Sequence, residues 1–181
     1  ARTIWSPPQA ETPAGALEDL PDANDFDVLM VDGQLPEAAI AAARAFRDAG
    51  KPVVLDAGSW KPGMDTLTAL ATEVIAGAAF AFPDGGNVLE GALGAGARCA
   101  AVTADADPLR WRTADGGSGA ITPPAVEAVD TLAAGDVFHG AFVAFRHGRG
   151  LAFEAALSEA ARVAAMSVTR YGPRGGVQAA R

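Results

Sequence analysis

Apolar positions along this chain fall in short uninterrupted blocks separated by stretches of helical period. Residues 28–31, 53–55 and 99–102 are such blocks, and residues 74–80 contain a fourth; bounded by turn residues, they predict strands covered on both faces. Between the first two, residues 36–49 open with Pro36 and set Ala39, Ile40, Ala43 and Phe46 on one face before Gly50. That is an amphipathic helix with a proline start and a glycine stop. Shorter helices are predicted at 65–71 and 87–93. Strands alternating with helices at this spacing predict a parallel α/β sheet, whose ligands collect at the carboxyl ends of the strands.

The pattern changes after residue 103. Residues 109–113 and 120–122 read as a hairpin around Asp115-Gly116-Gly117. A helix beginning near Asp136 keeps Val137, Ala141, Ala144 and Phe145 at three-to-four residue spacing up to His147 and Gly148, and an Ala-rich helix spans 151–169. Upstream, residues 2–5 predict a strand, and the Pro-, Ala- and acid-rich stretch 6–25 one short helix at 14–20. No repeat and no clean linker divides the chain, so one domain over 1–181 is expected, with an abrupt junction at Phe82-Pro83-Asp84-Gly85-Gly86.

At 181 residues, half of them hydrophobic, the chain can bury roughly 70% of its unfolded surface. A net charge of −8 opposes broad affinity for nucleic acid or anionic membrane, which needs a basic face. No apolar run approaches the roughly 20 residues that span a bilayer, and no secretory leader is read. The single Cys99 lies in an apolar run and is expected as a buried thiol.

The candidate chemistry lies in residues 129–140. Ala133, Ala134 and Gly135 have little or no side chain, so a polyanion can approach the backbone N–H groups at the start of the following helix, where unpaired donors and the helix dipole favour negative charge. Asp136 then stands beside a transferring phosphoryl group. An isolated acid in a first helical turn is more often an ordinary stabiliser, contributing about 0.3–1 kcal/mol. The spacing around it changes that balance. Asp130-Thr131-Leu132-Ala133-Ala134-Gly135-Asp136 closely resembles the Asp-Thr-x-Gly-Ala-Gly-Asp signature of the ribokinase-like (PfkB) carbohydrate kinases, with Ala133 where that family most often has Gly.

The resemblance extends to the blocks at 26–33, 52–61 and 99–103 and to the tail at 167–172, in the family's order. It implies a three-layer αβα fold with a mostly parallel sheet, and transfer of the γ-phosphoryl group of ATP, with Mg2+, to a sugar hydroxyl. Asp136 is then the base, and Ala133, Ala134 and Gly135 form the anion hole. The resemblance also implies nucleotide contacts at Thr103, Asp105, Pro108, Gly135, Asp136, Ala160 and Lys61. A monovalent cation, K+, is implied at Asp130, Leu132, Ser167, Arg170 and Gly172, where all but Asp130 offer main-chain oxygens. A small sugar and ATP are the expected partners, a homodimer is left open, and the lone thiol with an ATP-dependent reading predicts a cytoplasmic protein. The family's N-terminal portion, with its Gly-Gly motif, most sugar contacts and much of the lid, has no counterpart from Ala1 onward, so this chain alone is expected to be inactive.

Other readings stay open at this stage. Residues 103–108 stand where the family has Thr-x-Gly-x-x-Gly, with Asp105 and Pro108 at the glycine positions; an ordinary hairpin-entry loop explains them equally well. Lys61 could reach a phosphate and Asp56 hold a metal through water, or both flank a solvated turn capped by Asp56 or Ser59. His139 has the helical phase to approach Asp136, but packs as an ordinary imidazole in the base case. The tryptophans at 5, 60 and 111 serve packing. A degenerate relative that binds nucleotide without turnover and an α/β interaction domain are the competing functions.

Overall fold

The computed structural model describes Gly15, Leu17, Glu18 and residues 20–172. The strand expected at 2–5 lies outside the described residues, as does much of the helix expected at 14–20. Within that region Glu18 N–H closes a turn on the Gly15 carbonyl at 2.9 Å.

Among the described residues six strands form one sheet in sequential order: β1 Leu29–Val31, β2 Val53–Ala57, β3 Glu73–Ala76, β4 Cys99–Ala104, β5 Asp107–Thr113 and β6 Ser118–Ile121. The first four are parallel, and β5 and β6 fold back as antiparallel hairpins. Crossover helices α1 Pro36–Asp48, α2 Met64–Leu70 and α3 Val88–Gly94 connect the parallel strands. Right-handed crossovers taken in one direction place all three on one face. The second face is covered by α4 Ala134–Val143, which runs directly into a π-helical turn at Ala144–Gly148, and by α5 Phe153–Ser167.

The sequence produces these elements by local means. Pro36 sits at the start of α1, and Gly50, at φ +71°, ends it: Gly50 N–H bonds the Arg47 carbonyl and Lys51 N–H reaches back to Phe46 at 2.8 Å. Gly96 closes α3 by the same arrangement, with bonds to Leu93 and Ala92, so both stops are Schellman motifs that need a left-handed residue. Asn87 caps the start of α3, accepting from Leu89 and Glu90 N–H.

Strand alternation divides the core in two. Val53, Leu55 and Ala57 of β2, with Val74, Ala76 and Ala100, pack against Phe46, Met64, Leu67 and Ala92 on the α1–α3 side. Val54, Ile75 and Ala101 pack against Phe138, Phe142, Phe153 and Leu157 on the α4–α5 side. The same alternation turns Asp56 toward α4, which matters for the site.

Three expectations need correction. Among the described residues β1 lies at the sheet edge with Met30 44% exposed, because the two described helices of the second layer pack over the centre of the sheet rather than its β1 edge. The buried stripe of α4 is Phe138, His139 and Phe142, while Ala144 is exposed; the aromatic rings face the sheet, and the π turn breaks the period that assigned Val137, Ala141, Ala144 and Phe145. Residues 103–108, expected as a turn or hairpin-entry loop, are mostly strand: β4 and β5 join in a tight turn from Ala104 to Asp107, and the ladder shifts register beside Thr103. Asp105 holds φ +52° at that turn, a conformation Asp tolerates better than most residues. Pro108, lacking an N–H, lies within β5 at the bulge.

Candidate active site

The Asp130 carboxylate orders the approach to α4. Its Oδ1 accepts from Leu132 N–H and its Oδ2 from Gly172 N–H, each at 3.0 Å, while the N–H groups of Val129 and Asp130 both reach the Val168 carbonyl at 2.8 and 3.1 Å. The loop before α4 is therefore tied to the end of α5. The chain then turns through Ala133 at φ +58°, ψ +20°, and the helix begins. Ala134 N–H reaches the Thr131 carbonyl at 3.3 Å, and Val137 N–H closes the first helical bond on Ala133 at 2.9 Å. The N–H groups of Gly135 and Asp136 have no acceptor among the described residues. They are the free donors of a helix start.

Nothing lies within 4 Å of the point where a Cβ would stand on Gly135, and Gly135 and Asp136 are both exposed. An anion can thus reach these donors from solvent, with the Asp136 carboxylate at its side. The side chains beneath this opening come from the carboxyl ends of the strands. Asp56, in β2, faces His139 of α4, with Oδ1 3.5 Å from Nε2. The His139 side chain is 7% exposed and its Nδ1 lies 2.8 Å from the Gly135 carbonyl. Nδ1 must donate there, so Nε2 is directed at Asp56 without a hydrogen-bond partner. Burial pushes the Asp56 carboxyl above its ordinary range; His139 opposes this, Asp32 and Asp136 reinforce it, and Lys61 opposes it. These five groups therefore share one electrostatic neighbourhood.

The remaining expected site residues divide. Thr103, near the end of β4, donates to the Ala76 carbonyl at 3.3 Å, which leaves it on the rim formed by the strand ends. Leu132 and Gly172 converge on Asp130 as described, and Ser167, the last residue of α5, donates to the Ala164 carbonyl. Arg170 is exposed in the turn beyond α5. Ala160 departs from its expected nucleotide contact: it is fully buried in α5 within the core shared with α4, where its small side chain serves helix packing. Asp56 is not a turn cap; it is a strand residue turned inward. Cys99 is buried as expected, and burial pushes its thiol up to about 11. Trp60 packs on Phe80 and Phe82, and Trp111 on Phe153; Trp5 lies outside the described residues.

Sequence reasoning missed the Asp56–His139 apposition. The available signal was the parity of Asp56 within its strand, two residues beyond the inward-facing Val54, but the partner face needed the helix phase.

These residues suit a nucleotide polyphosphate on one count, the two free N–H donors under an open approach. Among the described residues no three His, Cys, Asp or Glu side chains gather as a metal cluster.

Fold and site together define an α/β domain in which a helix start with two free N–H groups lies at the carboxyl end of a mostly parallel sheet. The chain belongs to the pfkB family carbohydrate kinases, whose sequence profile matches residues 3–180. Among solved structures, a ribokinase candidate from Agrobacterium tumefaciens is 33% identical, with a TM-score of 0.72 over 86% of this chain and 53% of that one. Arabidopsis thaliana ribokinase, complexed with ribose and ATP, shares the fold at 20% identity and a TM-score of 0.73, over 94% of this chain and 60% of its own. Xylella fastidiosa fructokinase with bound ATP does so at 21% and 0.73, over 88% and 61%. The chain thus spans between half and two thirds of these relatives. No curated protein matches it. Among the described residues no helix is long and apolar enough to cross a membrane.

Proposed function

We propose that this chain carries the phosphate-handling part of an ATP-dependent carbohydrate kinase, with Asp136 as the general base. The observation that carries the reading is the start of α4, where two unpartnered N–H groups and an open Gly135 lie beside an exposed carboxylate. The family of the chain supports it, as do ribokinase and fructokinase structures with ATP bound.

In this reading Asp136 accepts the proton of the attacking sugar hydroxyl. The N–H groups of Gly135 and Asp136 donate to the oxygens of the phosphoryl group as charge redistributes. Ala133, held left-handed, aims these donors outward. His139 fixes the Gly135 carbonyl from below, so the first turn keeps its shape while its N–H groups bond outward. Mg2+, when bound with the nucleotide, would neutralise phosphate charge. Positioning and fixed electrostatics supply most of the acceleration in such chemistry. The Asp130 turn, with the main-chain oxygens of Leu132, Ser167, Arg170 and Gly172, is the place for K+. Thr103 and Lys61 border the nucleotide, and the β4–β5 turn with Asp105 and Pro108 forms part of its wall.

A nucleotide-binding relative without turnover is the second reading, favoured by the Asp105 carboxylate at a turn next to the expected polyphosphate. One experiment separates them. In the intact protein Asp136→Asn should lower ADP formation by at least about 10²-fold, the lower end for a general base, with ATP affinity little changed. Near-wild-type turnover would remove Asp136 from the base role, and no ADP formation from any sugar by the unaltered protein would favour the second reading.

A further inference from the structure

A cavity of about 380 Å³ opens at the amino ends of β2, β3 and β4, the end of the sheet opposite the start of α4. Its walls carry Arg47 from the last turn of α1, Lys51 from the α1–β2 turn, Arg98 from the entry to β4, and Arg146 and His147 from the π turn that ends α4, around Glu73 of β3. Four of the chain's 14 Lys and Arg residues therefore converge on one cavity of a protein with net charge −8.

Internal pairing accounts for only part of this charge. Glu73, with its side chain 4% exposed, accepts from Arg146 Nε at 2.8 Å and meets His147 Nε2 at 2.9 Å. Burial alone would raise the Glu73 carboxyl, but these two hydrogen bonds hold it below its ordinary range. Both its oxygens are thereby engaged. Arg146 Nη1 is fixed on the Leu151 carbonyl at 2.9 Å, which leaves Nη2 for a ligand. Among the described residues Arg47 and Arg98 have no ion-pair or side-chain hydrogen-bond partner. The nearest acid to Lys51 is Asp27 at 3.9 Å, whose side chain is 97% exposed, a pair that water and salt screen. Two guanidinium groups without an ion-pair partner, and Lys51 paired only with the exposed Asp27, thus border one concavity, beside a π turn, a departure from α-helix often found at functional sites.

We propose that this cavity binds an oxyanion of the phosphate class, carried either by free phosphate or by a phosphate monoester of sugar size. Guanidinium groups match the geometry of phosphate oxygens, and the volume lies at the lower end for small-molecule sites. A ligand here would be separate from one at the start of α4, because the two sites sit at opposite ends of that helix.

Amide NMR on the full 181-residue chain tests the proposal, titrating inorganic phosphate, glucose 6-phosphate and, as an uncharged control, glucose. Saturable shifts at Lys51, Thr72, Arg98 and His147 are expected with the two phosphates and not with glucose. Equal affinity for both would identify free phosphate as the ligand; tighter glucose 6-phosphate binding would identify a monoester. Arg47→Ala with Arg98→Ala should weaken binding at least about tenfold, since each removes charge-assisted hydrogen bonds; both side chains are exposed, and the single variants repeat the test should the pair lower the melting temperature. Shifts confined to Gly135 and Asp136, shifts undiminished in the variants, or no saturation with either phosphate would overturn the assignment.

Discussion

Ala133→Gly tests the backbone of the candidate anion hole directly. Ala133 holds φ +58°, ψ +20° immediately before α4, and a left-handed conformation costs a residue with a Cβ about 1–2 kcal/mol. Glycine removes that strain but adds freedom to the unfolded chain, which offsets about 0.4–1 kcal/mol. The net gain then lies between about 0 and 1.6 kcal/mol, about 0.8 kcal/mol at mid-range. For a domain of this size 1 kcal/mol moves the melting temperature about 2–4 °C, so calorimetric or circular-dichroism melts should show a rise of about 1–4 °C. Ala45→Gly supplies the control. Ala45 is exposed within α1, where the same chemical change should destabilise by about 0.5–1 kcal/mol. Opposite signs at the two positions are expected. A melting temperature lowered at both would refute the strained conformation at Ala133.

Two further outcomes follow from the same structure. Glu73 has a depressed folded pKa, so its ionised form contributes stability above the unfolded carboxylate value of about 4.3, and that contribution is lost as pH falls through the folded value. Glu73→Gln should lower stability by about 1–3 kcal/mol at pH 7, less than a fully buried pair because Arg146 is partly exposed; urea melts at pH 7 and pH 3 should show the deficit shrinking on acidification, and a pH-independent deficit would contradict the ionic account. The 181-residue chain spans only 53–61% of the compared relatives, and its described residues show no cluster of polar side chains arranged to grip several hydroxyls, so it should bind sugar very weakly and form negligible ADP; calorimetry and a coupled assay showing saturable sugar binding with turnover would place the sugar site within these residues.

Much of the fold was legible because each local signal had a local cause. Pro36 and Gly50 bound α1, Gly96 ends α3, and continuous apolar runs mark strands that lie between two layers. The Asp130–Asp136 segment was legible for the same reason: a run of small residues before a helix leaves donors free, whatever packs around it. Its geometry was less so, since whether Ala133 lies at positive or negative φ depends on how the Asp130 carboxylate ties the loop to Gly172, 42 residues away.

The sequence by itself determined the alternation of strands and helices, the small-residue turn into α4 and the position of Asp136, because propensity, capping and periodicity act over a few residues. Tertiary structure alone decided which groups meet. Asp56 faces His139 because strand parity and helix phase coincide across the second layer, and Glu73 gathers Arg146 and His147 across more than 70 residues. Ala160 is buried because α5 lies against α4. A buried charge is tolerated only where its partner arrives, and that arrival is set by the packing of layers, which no local window of sequence contains.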